Sequence, residues 1–325
     1  MFQQLWVRTV FVAVASFAAG DVALAQTFPS QPIKWIVPYP PGGGSDVVAR
    51  TTGAALATAI GQPVLIDNRP GAATQIGAEA VARAKPDGYT IGTADSGTLA
   101  FNPSLYAKLP YDPAKDFAFV GGLARFPLVL AVKPSLPINT VAELIAYAGK
   151  NPDKLNYGTP GAGSPHHLAM ELFKQRARAP VTHVPYKGMA PAVQDILGGQ
   201  IDLMFVDLAT GLQHIDAGKL RAIAVATPGR LAMLPTVPTI AESGVAGFEA
   251  FAWQAVVAPA GTPPEVVARL NAELVKVLRS DEVRKKFAEL GVEPTPTTPS
   301  EIADYSSAER ARWSGVIKAA GIKLE

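Results

Sequence analysis

One unit occurs twice in this sequence, and it narrows the folds open to the chain. A β-rich run, Ile33–Val37, leads through Pro40-Pro41-Gly42-Gly43-Gly44-Ser45-Asp46 into a helical stretch, then a second run, Val64–Asp67, and the turn Asn68-Arg69-Pro70-Gly71. Later, Leu155–Tyr157 leads through Gly158-Thr159-Pro160-Gly161-Ala162-Gly163-Ser164 into a helix, the run Val181–Val184 and the turn Pro185-Tyr186-Lys187-Gly188. Gly43 and Gly71 are 28 positions apart, and Gly161 and Gly188 are 27 apart. Two lobes built on one plan, each opening on a glycine-rich strand-to-helix turn, account for the repeat.

Elsewhere too, short β-rich runs alternate with helical patterns. Further strands are predicted at Thr90–Thr93, Leu128–Val132, Leu203–Val206, Ala222–Ala226 and Gln254–Ala258. Helices are predicted at Asp46–Ile60, Ile76–Ala84, Val141–Asn151, His166–Arg176, Ala190–Gly198 and Pro264–Leu278, with a helical C-terminal stretch beyond. The alternation predicts an α/β fold with largely parallel sheets. Two β-rich stretches, Phe119–Lys133 and Phe248–Ala258, flank the second unit and serve as crossovers. The expectation is a two-lobed, type II-like periplasmic binding protein fold with hinge strands between lobes. Its first lobe comprises 27–126 and 253–325, its second 127–252.

Residues 1–25 read as a signal peptide, with Arg8, an apolar stretch from Val10 to Ala19, and Ala23-Leu24-Ala25 as the cleavage site, so a periplasmic location is expected. No later segment is apolar enough to span a membrane. With 17% charged residues and a formal net charge of +2, in no basic run, nucleic acid is not an expected partner. The absence of cysteine removes disulfides, thiolate metal sites and cysteine nucleophiles.

A glycine-rich turn that opens a helix presents unpaired N–H groups at the positive end of the helix dipole and suits an anion. Neither loop contains Arg or Lys, so a carboxylate there is expected to rest on the backbone of Gly42, Gly43, Gly44 and Asp46, and of Gly161, Ala162 and Gly163. Asp46 is expected to cap the helix. Tyr39, Ser45, Ser96, Thr98 and Asn102 from the first lobe, and Thr159, Ser164, His166 and Tyr186 from the second, are the flanking polar groups. The alternative is an α/β enzyme acting on a small anionic substrate or a dinucleotide. Against it, there is no G-x-S-x-G elbow or phosphate loop, and position 47 breaks the dinucleotide fingerprint. His166, His167, His183 and His214 have no metal-site spacing, and surface or loop-capping roles are expected of them; no cofactor is expected.

The runs Pro38-Tyr39-Pro40-Pro41-Gly42-Gly43-Gly44-Ser45-Asp46 and Gly158-Thr159-Pro160-Gly161-Ala162-Gly163-Ser164-Pro165-His166-His167-Leu168 resemble the two ligand-loop motifs of the Bug family. These are the extracytoplasmic receptors of tripartite tricarboxylate transporters. Asn68-Arg69-Pro70-Gly71, Pro86-Asp87-Gly88-Tyr89-Thr90, Val184-Pro185-Tyr186-Lys187-Gly188 and Trp313 extend the resemblance along the chain. It implies that both loops bind the carboxylates of one small ligand, a di- or tricarboxylate, an acidic amino acid or an aromatic acid, partly through water, with membrane transporter subunits as partners and a monomeric receptor. By position it gives selectivity to Ser96 and Asp207. Asp207 has a second reading as the cap of the helix that follows it.

Overall fold

The computed structural model describes residues 28–152 and 154–325, so the expected signal peptide lies outside the described residues. In the first lobe β1 (Ile33–Val37) pairs in parallel with β2 (Val64–Asn68) and β3 (Thr90–Asp95). These strands are joined by α1 (Gly44–Ile60) and α2 (Gln75–Ala82). α1 buries Val48, Ala49, Thr52, Gly53 and Leu56 along one stripe, and ends where Gly61 takes φ 71° and returns its N–H to Ala57 O. A π-helical turn at Gly97–Phe101 and the short α3 (Asn102–Leu105) follow β3.

β4 (Phe117–Val132) is 16 residues long and serves both lobes. Its first part, through Pro127, pairs with β9 (Phe251–Pro259); from Leu128 onward its partners are β7 (Leu203–Asp207) and β8 (Arg221–Val225). Bulges near Gly121 and Gly122 bend it. A Cβ at Gly122 would lie 2.3 Å from Thr295 O, so glycine lets the C-terminal segment lie across the strand. In the second lobe β5 (Asn156–Thr159) pairs in parallel with β6 (Thr182–Pro185) and β7. Around them lie α4 (Val141–Lys150), α5 (Pro165–Ala177), α6 (Met189–Leu197) and α7 (Leu208–Asp216).

The sheets are mixed rather than largely parallel. Both crossing strands run against their neighbours: β9 is antiparallel to β3 and β4, and β4 to β7 and β8. A chain that leaves a lobe and returns has to traverse the junction in opposite directions, which alternation along the sequence does not reveal.

After β9 the chain returns to the first lobe as α8 (Pro264–Leu278), α9 (Asp281–Glu289), the two-residue β10 (Glu293–Pro294) and α10 (Pro299–Ala320). α8 and α9 cover Trp35, Leu56 and Val256 with Leu270, Leu274 and Phe287. A second core in the other lobe gathers Ile196, Met204, Val206 and Leu208. The third is continuous across both lobes, and α10 supplies its middle: Trp313 meets Phe101 edge-on at 5.3 Å, while Gln175 of α5 donates to Val316 O at 3.0 Å. A reciprocal Thr298–Glu301 capping box starts α10.

Candidate ligand cleft between the lobes

The first loop is shaped from within. Gly42 takes φ 83°, which an L side chain resists, and Gly43 at φ −78° is the N-cap of α1. Asp46 is therefore not the cap expected from the sequence: it sits in the first turn and reaches backward. Its buried carboxylate accepts from Gly42 N (2.8 Å), Arg50 Nε (2.9 Å) and Asn68 Nδ2 (2.8 Å). Burial alone would raise its pKa, but the bonds from Arg50, Gly42 and Asn68 outweigh this and hold it below the ordinary value. The first intrahelical bond is Val47 N to Gly43 O, so among the described residues the N–H groups of Gly44, Ser45 and Asp46 have no protein acceptor.

Gln254 of β9, 4% exposed, donates through Nε2 to Ser45 Oγ, leaving the hydroxyl hydrogen of Ser45 for another acceptor. Sequence reasoning missed Gln254; the signal was a lone polar residue in the apolar strand FAWQAVVAP. Asp95, also missed, ends β3 and accepts from Tyr39 Oη and from Thr98 N. Burial first, then the Asp95 carboxylate and the more distant charge of Asp207, push the Tyr39 phenol well above its ordinary pKa. Ser96 is fully buried, and among the described residues its Oγ has no partner. Thr98 and Asn102 face the wall: Thr98 Oγ1 is 2.8 Å from Thr74 Oγ1, and Asn102 Nδ2 donates to Ala73 O and Tyr111 Oη. Together they brace Ala72, Ala73 and Thr74, three consecutive residues at φ 46°, 49° and 74°.

The second loop consumes more of its own donors. Gly161 N reaches Thr159 Oγ1, Gly163 N reaches His167 Nδ1 at 3.0 Å, and Ser164 N reaches Gly161 O. Ser164 is the N-cap of α5, and its Oγ accepts from His167 N. The sequence had offered Gly161, Gly163 and Ser164 as ligand donors, but those groups hold the loop itself. Ala162 N and His166 N remain without a protein acceptor among the described residues. Behind the loop, His167 stacks on His183 at 3.9 Å and His183 on Tyr157 at 4.9 Å, so His167 is a buried loop support and not a surface residue. Burial, the neighbouring His183 and Lys174 press His167 down to about 3. Tyr186, expected beside the ligand, instead donates to Asp195 of α6 at 2.7 Å.

Both loops converge on the point where β4 changes partners. A Cβ at Gly44 would lie 3.3 Å from the Phe126 ring, and Asp207 is the register partner of Leu128. His166 Nε2 lies 3.1 Å from Asp207 Oδ1, outside hydrogen-bonding direction, and among the described residues both buried ring nitrogens lack a hydrogen-bond partner. Asp207 is the N-cap residue of α7, yet its side chain makes no cap bond. Gly163 closes the rim: a Cβ there would meet Leu105 Cδ1 at 2.7 Å and Leu324 Cδ1 at 2.9 Å. Among the described residues no group of three or more metal-ligating side chains forms, and no helix is long and apolar enough to cross a membrane.

The chain is 38% identical to protein BugT of Bordetella pertussis over 326 residues, spanning 100% of this chain and 99% of BugT. Among solved structures it superposes on Rpa4515 of R. palustris, solved with adipate, at TM-score 0.83 and 41% identity, covering 91% of this chain and 100% of that one. MatC from Rhodopseudomonas palustris with bound malate gives TM-score 0.78 and 34% identity over 89% of this chain and 100% of MatC. Residues 48–322 match the model of the tripartite tricarboxylate transporter family receptor. That match covers most of the chain, and the chain belongs to the tripartite tricarboxylate transporter receptor family.

Proposed function

We propose that the protein is a periplasmic receptor that captures a small dicarboxylate between its lobes and presents it, chemically unchanged, to membrane transporter subunits. The observation that carries this reading is the pair of helix N-termini at one hinge, with unpartnered N–H groups on Gly44, Ser45 and Asp46 on one side and Ala162 and His166 on the other. Two anionic groups of one ligand then satisfy donors that the closed lobes would otherwise leave unmatched. Ser45 Oγ adds a hydroxyl donor, and the buried Ser96 Oγ, without a partner among the described residues, is left for a bridging water or the ligand. Adipate and malate in the two related structures are both dicarboxylates.

The lobe boundaries belong to the same proposal, at 126/127 and 252/253. They are supported by the exchange of β4 partners between Pro127 and Leu128, one residue from the first boundary, and by the pairing of β9 with β3 and with β4 only as far as Pro127. Removal of residues 1–25 during export completes the reading. The test is calorimetry with succinate, glutarate, adipate and citrate, followed by NMR of the recovered ligand. Saturable binding of at least one acid with its spectrum unchanged is expected; binding of none, or steady conversion, overturns the proposal.

A further inference from the structure

The second ligand loop is held from two sides. From within its own lobe, Thr159, His167 and Gly161 accept the N–H groups of Gly161, Gly163 and Ser164. Between these anchors Ala162 is exposed, and the glycines on either side of it take φ 149° and 76°, where no side chain stiffens the backbone. The other side of the loop is covered by residues that follow α10. That helix stops at Gly321, φ 66°, with Ile322 N returning to Ile317 O at 3.2 Å. The chain then runs beside the end of α3: Leu324 pairs in parallel with Tyr106, and Leu324 N donates to Leu105 O at 2.8 Å. Burial alternates along it, with Ile322 and Leu324 half-buried and Lys323 and Glu325 exposed.

Leu324 and Leu105 converge on Gly163, where a Cβ would lie 2.9 Å from one and 2.7 Å from the other. Glycine at 163 therefore lets two leucines rest directly on the loop backbone, at the residue next to the open N–H of Ala162. On the boundaries proposed above, the bond to Leu105 makes Leu324 move with the first lobe, whereas Gly163 moves with the second. The contact exists only while the lobes are together, so it stabilises the closed state alone. We infer, on the receptor reading above, that Ile322–Glu325 form a strap over the second ligand loop, with Leu324 as the positioning residue that holds its Gly163 side and delays ligand release. Ligand enters while the lobes are apart and Leu324 is off the loop, so the strap acts on departure and not on encounter.

The test is stopped-flow binding and displacement on the full chain with succinate, glutarate, adipate and citrate. For whichever of these the wild type binds, Leu324→Ala is expected to raise koff about tenfold and to change kon by less than about threefold. Leu324→Met, which restores the volume, is expected to bring koff back to within about threefold of the wild type, and Lys323→Ala, at an exposed neighbour, to leave it unchanged. In the wild type, hydrogen exchange at the Gly163 and Leu324 amides is expected to slow together when ligand binds. A koff for Leu324→Ala within about twofold of the wild type, an effect confined to kon, or exchange at these two amides that ligand leaves unchanged overturns the strap and leaves the receptor reading standing. Should Leu324→Ala not fold, the exchange measurement decides alone. Binding of none of the four acids by the wild type overturns the receptor reading itself, and the strap with it.

Discussion

Asp46 and Arg50 form one ion pair, yet the two ends do different work. The Asp46 side chain is 3% exposed and organises Gly42, Asn68 and the start of α1, whereas Arg50 is 51% exposed. Asp46→Ala is expected to lose about 2 kcal/mol of stability in urea unfolding, from buried donors left unmatched, and to abolish ligand binding. Arg50→Ala is expected to change both little, since a solvated guanidinium is a weak partner. A second expectation concerns the stacked imidazoles. Burial first, with the opposing charges of Glu171 and Lys174, sets His183 at about 4, and His167 lies at about 3, against 6.5 for a free ring. The unfolded chain therefore binds more protons in the window between these values, so their contribution is complete above about pH 6.5 and is lost as pH falls toward 4 and then 3. Between pH 7 and pH 5 the loss is up to about 2 kcal/mol per ring, a drop of about 3–6 °C in the unfolding midpoint. His167→Gln should flatten that slope; an unchanged midpoint over this range would contradict the buried-neutral assignment.

Most elements were legible because each carries its own periodicity and stop signals. α8 begins and ends where the sequence places it, between Pro263 and Arg279, and α1 is bounded by Gly43 and Gly61. What escaped was structure imposed from outside the segment. The π-helical turn Gly97–Phe101 has no pattern of its own; it exists because Asp95 holds Thr98 N and α10 packs over Leu99 and Phe101. The left-handed run at Ala72–Thr74 is likewise written in Thr98 and Asn102, 24 and 29 residues from the groups they hold. In the site, the glycine loops were visible and their internal bonding was not: only coordinates tell that Gly161, Gly163 and Ser164 donate inward while Ala162 and His166 stay open. Two glycines separate shape from access. Gly42→Ala is expected to cost roughly 1–2 kcal/mol through its φ of 83°, whereas Gly43→Val, at φ −78° with the Cβ 3.8 Å from its nearest neighbour, should fold normally and block ligand approach. Paired thermal melts and calorimetry distinguish the two outcomes.

At the scale of the whole molecule, the lobes share one core around α10 and also touch at two glycines. Gly163 lies under Leu105 and Leu324, and Gly291 lies under Leu208, where a Cβ would sit 2.9 Å from Leu208 Cδ2. Larger residues at these glycines are expected to prop the lobes apart, so that Gly163→Val shows a smaller ligand-induced contraction in small-angle scattering than the wild type; an identical contraction would mean the rim does not limit closure. The central claim is that backbone amides of two helix N-termini hold the ligand, and amide NMR reads those groups individually. In a ¹⁵N titration with the tightest-binding dicarboxylate, the largest saturable shifts are expected at Gly44, Ser45, Asp46, Ala162 and His166, with Gly161 and Gly163 moving less because their hydrogens point inward. Largest shifts at residues remote from both loops, or saturable binding that leaves these five amides unmoved, would contradict it.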